Sequence, residues 1–351
     1  MKVLRTPEER FKNLHSFPYE PHYVEVDDCE GGLIRMHYLD EGSSKGELIL
    51  CLHGQPTWSY SFRKMISPLS RAGYRVVVPD LVGFGRSDKP SQRSDYTVSR
   101  HVYWFTQFIN KLSLEDITIV CHDWGGPISL RTVAENPEKF SRIVATNTGF
   151  PDSRGVPEDK SSLLRKLLAE TPALSFLDMM KTALKNEDPK KPRTMTEQTQ
   201  DAAAGLDPHP PFMFWIRHCD AYPEFDPGDI ISHWVNNCSA EEKRAYSAPF
   251  PSEEFMQGAR EFPSLIPLFP DDPAMSDNRA AWTELRKFQK PFLTAYSDSE
   301  PQAPAIQFQQ EIPGAKNQKH VLIEGAKHFS QDDAGAELAQ IVIDFINANA
   351  K

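Results

Sequence analysis

The sequence predicts an α/β protein: a mostly parallel sheet flanked by helices and interrupted once by an inserted helical cap. Three observations predict it. Short apolar runs alternate with longer amphipathic stretches at both ends of the chain, and the alternation stops between Pro151 and Asp277. At 351 residues, a quarter of them charged, the chain can bury one large core and carry an elaboration, without a clear second independent core.

Residues 23–26 and 33–39 flank Glu30-Gly31-Gly32 and read as an antiparallel hairpin at one sheet edge. Buried strands are expected at 47–52, 75–78, 117–121 and 141–145, with helical patterns at 62–72, 99–112 and 127–134 between them. Strands separated by helices require crossovers, hence parallel pairing and a sheet covered on both faces. After Asn147 the rhythm breaks. From Pro151 to Asp277 prolines, charges and aromatics replace buried strands, so residues 151–277 are expected to form a helical cap inserted into a main domain of residues 1–150 and 278–351. Within the cap, residues 158–204 hold a helical pattern (Leu163, Leu164, Leu167, Leu168) and the polar tract 185–192, expected to be exposed or mobile. Strands resume at 291–296 and 319–323, and an amphipathic helix at 336–348 closes the chain.

The formal charge of −10 disfavours nucleic acid or an anionic membrane surface as partner and suits an uncharged substrate. Five cysteines at wide, irregular spacings contain no C-x-x-C pair and read as free thiols in a reducing compartment. The first ten residues lack the apolar run of a signal peptide, and no later stretch approaches a membrane span, so a soluble cytoplasmic protein is expected. Asn237-Cys238-Ser239 has the form of a glycosylation acceptor, which matters only in a secreted chain.

Chemistry enters at Ile117-Thr118-Ile119-Val120-Cys121-His122-Asp123-Trp124-Gly125-Gly126-Pro127, a strand, a sharp turn and a helix start with small residues just past the apex. This is the pattern of a nucleophile elbow, with Asp123 where G-x-S-x-G enzymes carry serine. An ordinary strand-to-helix connection with an N-capping aspartate is the alternative for the motif taken alone. Upstream, His53-Gly54-Gln55-Pro56 follows a strand, so the backbone N–H groups of Gln55 and Trp124 are expected to converge on one oxygen as an oxyanion hole. Downstream, Gly325-Ala326-Lys327-His328-Phe329 follows the last strand, and His328 is the expected base. Nucleophile, acid and histidine then occur in the chain order of such enzymes. A carboxylate must orient His328, and Tyr296-Ser297-Asp298-Ser299-Glu300-Pro301 offers two, Glu300 being favoured over Asp298.

The runs Arg5-Thr6-Pro7-Glu8-Glu9-Arg10-Phe11, His53-Gly54-Gln55-Pro56-Thr57-Trp58-Ser59-Tyr60, Gly83-Phe84-Gly85-Arg86-Ser87-Asp88-Lys89-Pro90 and Asp123-Trp124-Gly125-Gly126 together resemble subfamily I haloalkane dehalogenases over nearly the whole chain. In the cap, Phe212-Met213-Phe214-Trp215 and Tyr246-Ser247-Ala248-Pro249-Phe250-Pro251 resemble the same family. The resemblance implies an α/β-hydrolase fold and cofactor-free hydrolysis of a haloalkane to a primary alcohol plus halide through an alkyl ester on Asp123. It implies a catalytic triad of Asp123, Glu300 and His328, with Trp215 as a halide-binding residue. The family pattern at the acid turn, Gly-x-x-Asp-Pro, puts Glu300 at the functional position and Asp298 two residues early. Three departures stand out: Gln55 where glutamate is frequent, Glu300 for aspartate, and a longer segment from Phe150 to Trp215.

Elementary chemistry leads to the same place. A halide departs from a tetrahedral carbon, so the charge needing stabilisation first is on the leaving ion, and Trp124 and Trp215 each offer an indole N–H with no competing acceptor. Trp58, Trp234 and Trp282 read as packing residues. The partners expected are a small hydrophobic halogenated substrate, water and halide ion, with the chain a monomer. An epoxide hydrolase with the same aspartate nucleophile is the rival and would need phenol donors, for which Tyr222 and Tyr246 are available. A fluoroacetate-type site would carry arginine where Trp124 stands, Asp123 excludes a serine esterase, and non-catalytic relatives usually lose a triad member, whereas none is missing here.

Overall fold

The computed structural model describes residues 1–183, 185 and 192–350. Its strands, in chain order, are β1 (Val3–Leu4), β2 (His22–Asp27), β3 (Leu33–Gly42), β4 (Leu48–Leu52), β5 (Arg75–Pro79), β6 (Lys89–Pro90), β7 (Ile117–His122), β8 (Phe140–Thr146), β9 (Phe292–Ser297) and β10 (Val321–Ile323). Eight of them form one sheet in the order β10-β9-β8-β7-β4-β5-β3-β2, while β1 and β6 pair separately. Pairing is parallel from β10 across to β5, and β3 runs antiparallel to both β5 and β2. The burial pattern explains the arrangement. Every residue of β4, β7, β8 and β9 is buried, as a strand covered on both faces requires, whereas β2 at the edge is mostly half-buried or exposed. At the hairpin between β2 and β3, Asp28 Oδ1 accepts from the N–H groups of Glu30 and Gly32, both at 2.8 Å, and Gly31 takes the left-handed φ of 84°.

The helices of the first half are α1 (Arg63–Arg71), α2 (Val98–Lys111) and α3 (Gly125–Glu135). Among the described residues no strand lies between Thr146 and Phe292. That stretch holds α4 (Ser161–Glu170), α5 (Phe176–Ala183), α6 (Met195–Ala203), α7 (Pro211–Ala221), α8 (Pro227–Trp234), α9 (Ala240–Ser247), α10 (Gln257–Leu265) and α11 (Met275–Leu285). The chain then adds α12 (Ala303–Glu311), α13 (Ser330–Asp333) and α14 (Gly335–Ala348). The pairs α1 with α14, α2 with α3, and α3 with α11 pack together beside the sheet.

The expected helical stretch 158–204 is divided into α4, α5 and α6, with Pro172 in the first break, where proline disfavours a continuing helix. Thr194 opens α6 with a capping box, accepting from the Glu197 N–H while the Glu197 carboxylate accepts from the Thr194 N–H. Of the polar tract 185–192, Lys185 is exposed and Pro192 half-buried, and residues 186–191 lie outside the described residues. Val156, Leu164, Phe212, Met213, Leu268 and Phe269 belong to a small apolar cluster of their own, separate from the main core. No helix among the described residues is long and apolar enough to cross a membrane.

Candidate active site

The site grows from the carboxyl ends of β4, β7, β9 and β10. β7 ends at His122, and Asp123 adopts φ 50°, a left-handed conformation that a non-glycine residue holds only where its surroundings enforce it. The turn closes because the next residues lack side chains. A Cβ on Gly125 would lie 2.2 Å from the Leu52 carbonyl oxygen, and one on Gly126 would lie 1.8 Å from Thr148 Oγ1. Gly54 is required for the same reason, since its Cβ would fall 2.0 Å from Asp123 Oδ1.

That close approach brings the Gln55 N–H to Asp123 Oδ1 at 2.7 Å, and the Trp124 N–H favours the ionised form of the Asp123 carboxylate. His53 supports the loop from beneath. The Leu81 N–H donates to its Nε2 at 2.9 Å, which leaves Nδ1–H to donate to the Gly54 carbonyl at 2.9 Å.

His328 stands on the other side of the carboxylate, its Nε2 3.6 Å from Asp123 Oδ2, an ionic contact longer than a hydrogen bond. Its Nδ1 meets Glu300 Oε1 at 3.1 Å. Asp298 does something else: its Oδ1 accepts from the Gly325 N–H at 3.1 Å, fastening the loop that carries His328. Electrostatics follow from these distances. Burial opposes charge on His328, but the neighbouring Glu300 and Asp123 carboxylates outweigh it and push the imidazole up to about 10. Burial likewise opposes charge on Asp123, yet His328, His122 and the Trp124 N–H hold its carboxyl below the usual range.

Sequence reasoning missed Asn147, which ties these pieces together. From φ 41° its carbonyl accepts from the Asp123 N–H at 3.3 Å, its Nδ2 donates to the His328 carbonyl at 2.7 Å, and its Oδ1 accepts from the Ser297 N–H at 2.8 Å. No motif marks it. The only signal is its place directly after a buried strand, where the apolar rhythm ends.

Asp123, Glu300 and His328 line a cavity of about 310 Å³ together with Gln55, Trp124 and Trp215. Trp124 is largely buried and meets Phe262 edge-on, with ring centroids 5.0 Å apart. Trp215, on α7, packs against Trp234 at 4.9 Å and stacks on His218 at 5.9 Å. Trp234 reaches further than a cap packing residue would, lying 5.8 Å from the His328 ring. Trp58 and Trp282 are fully buried, their indoles donating to the carbonyls of Ala245 and Phe150. The cavity extends outward to Arg154 and residues 194–197 of the long cap segment.

The two tyrosines a rival chemistry would need do not line this cavity. Tyr246 is buried against Asp332 and Arg63, and the Tyr222 hydroxyl faces Glu224 at 3.4 Å. Among the described residues no group of three or more histidine, cysteine, aspartate or glutamate side chains could hold a metal ion.

Comparison with known proteins identifies the family. A family model described as the alpha/beta hydrolase fold matches residues 47–335. A haloalkane dehalogenase of Psychrobacter cryohalolentis is 41% identical over 353 residues, covering 100% of both chains. One of Mycobacterium marinum is 37% identical over 348 residues, covering 98% of this chain and 99% of its own. Among solved structures, the tetrameric haloalkane dehalogenase DpaA of Paraglaciecola agarilytica superposes with a TM-score of 0.75 at 30% identity, covering 97% of each chain. With an aspartate at the elbow and relatives of this similarity along its whole length, the chain belongs to the haloalkane dehalogenase family of the α/β-hydrolase fold.

Proposed function

We propose that this protein hydrolyses the carbon–halogen bond of small hydrophobic haloalkanes to a primary alcohol and halide, with Asp123 as nucleophile, Glu300 and His328 completing the triad, and no cofactor. The observation that carries the reading is the asymmetry of the Asp123 carboxylate: Oδ1 is held by the Gln55 N–H at 2.7 Å, and Oδ2 faces His328. Oδ2 attacks the carbon bearing the halogen, the new C–O bond forms as the C–X bond breaks, and the halide leaves with the bonding pair. The indole N–H groups of Trp124 and Trp215 stabilise the departing ion.

Esterification removes the negative charge of Asp123, one of the two carboxylates that raise the His328 pKa. The imidazole therefore sheds its proton more readily at this stage and becomes a base when one is needed. It takes a proton from water, and the hydroxide adds to the Asp123 carbonyl carbon. The resulting oxyanion is held by the Gln55 and Trp124 N–H groups. Collapse breaks the bond between that carbon and the alkyl oxygen, the alcohol leaves with the proton from His328, and the carboxylic acid left on Asp123 passes its proton to the neutral imidazole, restoring the carboxylate and the imidazolium. Glu300, 3.1 Å from Nδ1, keeps the ring in the tautomer this requires.

Residues 151–277 act as a cap closing the cavity over a main domain of residues 1–150 and 278–351. A monomer suffices, since every residue named here lies in one chain, and five free cysteines suit the cytoplasm. Sedimentation as a tetramer would remove the monomer. The test of function is halide release from 1-bromobutane or 1,2-dibromoethane, read with a pH indicator. The wild type should turn over, and Asp123→Ala should lose activity by about four orders of magnitude while keeping its circular dichroism spectrum. Turnover by Asp123→Ala within about ten-fold of the wild type would overturn the proposal, and so would a wild type that opens epoxides while leaving bromoalkanes intact.

A further inference from the structure

α10 contains a proline at position 263, four residues after Ala259. Proline has no N–H, so the Ala259 carbonyl lacks the donor that a regular helix would supply. Ala259 is wholly buried, and an unpaired carbonyl there would be costly. The missing donor comes from the main domain: Gln55 Nε2 donates to the Ala259 oxygen at 2.8 Å, with the Cys219 sulfur 3.8 Å from the same nitrogen. The Gln55 side chain is itself buried and its own backbone N–H is the one on Asp123 Oδ1, so one residue joins the elbow to the cap helix whose Pro263 lines the cavity.

Only a neutral donor fits here. A glutamate carboxylate would set oxygen against oxygen, whereas the amide satisfies a carbonyl that the proline has freed. We infer that the Gln55 side chain is a positioning residue for ester hydrolysis: its bond to Ala259 holds the Gln55 N–H on the oxygen that becomes the oxyanion. The inference rests on the Asp123 ester mechanism proposed above. In that mechanism the N–H stabilises developing charge only in the second step, so loss of the Ala259 bond should slow hydrolysis and spare alkylation.

Rapid-quench kinetics with 1-bromobutane separates the steps, the halide burst reporting alkylation and the decay of alkylated protein mass reporting hydrolysis. In Gln55→Glu and Gln55→Met the burst rate should stay within about two-fold of wild type, and hydrolysis should fall on the order of ten-fold. The pH dependence identifies the cause. As pH falls through the titration of the introduced glutamic acid, its protonated carboxyl gains an O–H that can donate to Ala259, so the Gln55→Glu deficit relative to wild type should shrink. That of Gln55→Met should not change. A charge acting through His328 would also fade as the introduced acid is protonated, but it would leave Gln55→Met, which adds no charge, at the wild-type hydrolysis rate. Parallel slowing of both steps, or a Gln55→Glu deficit that is constant or grows as pH falls, would overturn the inference. Absence of an alkylated Asp123 peptide in quenched single turnovers of the wild type and of both variants would instead contradict the Asp123 ester.

Discussion

The two sides of the cavity are built by different physics. On the sheet side, Asp123, Gln55, Glu300 and His328 follow strand ends, and backbone geometry fixes them: the φ of 50° at Asp123, the crowding at Gly54, Gly125 and Gly126, and the bonds from Asn147. On the cap side, Trp215 is set on a helix within an aromatic cluster with Trp234 and His218, and the long segment behind it has a small core of its own. Asp123 and His328 are thus held by hydrogen bonds and backbone strain, Trp215 by side-chain packing. The sheet side should therefore respond to substitution in the chemistry of both steps, and the cap side in leaving-group stabilisation and substrate fit.

The largest expected effect among tests of this contrast lies on the sheet side. Glu300→Gln keeps the volume but removes the charge beside His328 Nδ1, and should lower kcat by about two to four orders of magnitude. Asp298→Asn, which alters only an anchor of the loop at Gly325, should cost less than about ten-fold. The reverse ranking in steady-state kinetics would move the orienting role to Asp298.

A middling effect is expected on the cap side. If the Trp215 indole N–H binds the leaving halide as proposed, Trp215→Phe removes one charge-assisted hydrogen bond worth roughly 1.5–3 kcal/mol, and halide displacement should slow by about one to two orders of magnitude. Bromide should also quench tryptophan fluorescence less in this variant than in the wild type. An unchanged displacement rate would show that packing at Trp215 matters and its N–H does not.

The smallest effect is a shift in a titration. His328 is pushed up to about 10 by Glu300 and Asp123, so Asp123→Asn, which removes one of the two charges, should move the His328 midpoint downward in ring ¹⁵N spectra. The sign follows from the charge removed: a lost carboxylate no longer favours the imidazolium. A midpoint unmoved from that of the wild type would mean that esterification does not switch His328 into a base.

The same contrast explains what could be read in the sequence. The elbow, the Gly54 loop and the His328 loop are contiguous motifs after apolar runs, so local pattern alone singled out Asp123, Gln55 and His328, which the fold brings to one cavity. The positions of the strands and the mostly parallel pairing followed from the same rhythm, whereas the order of the strands in the sheet did not. Asn147 itself was silent, because its role depends on β9 and on the His328 loop, which lie far along the chain. Trp234 was silent for a similar reason: it meets His328 only through the placing of α8 above the last strand loops. Nothing local in the polar cap segment announced that residues 194–197 would reach the cavity.

The central claim is that an oxygen of Asp123, and not water, attacks the substrate carbon. Isotope labelling during a single turnover tests it most directly. With enzyme in excess over 1-bromobutane in H₂¹⁸O, the alcohol of the first turnover should carry unlabelled oxygen from Asp123, and the peptide containing Asp123 should gain one ¹⁸O. Labelled alcohol with an unlabelled Asp123 peptide would mean that water displaces the halide directly, and would contradict the account.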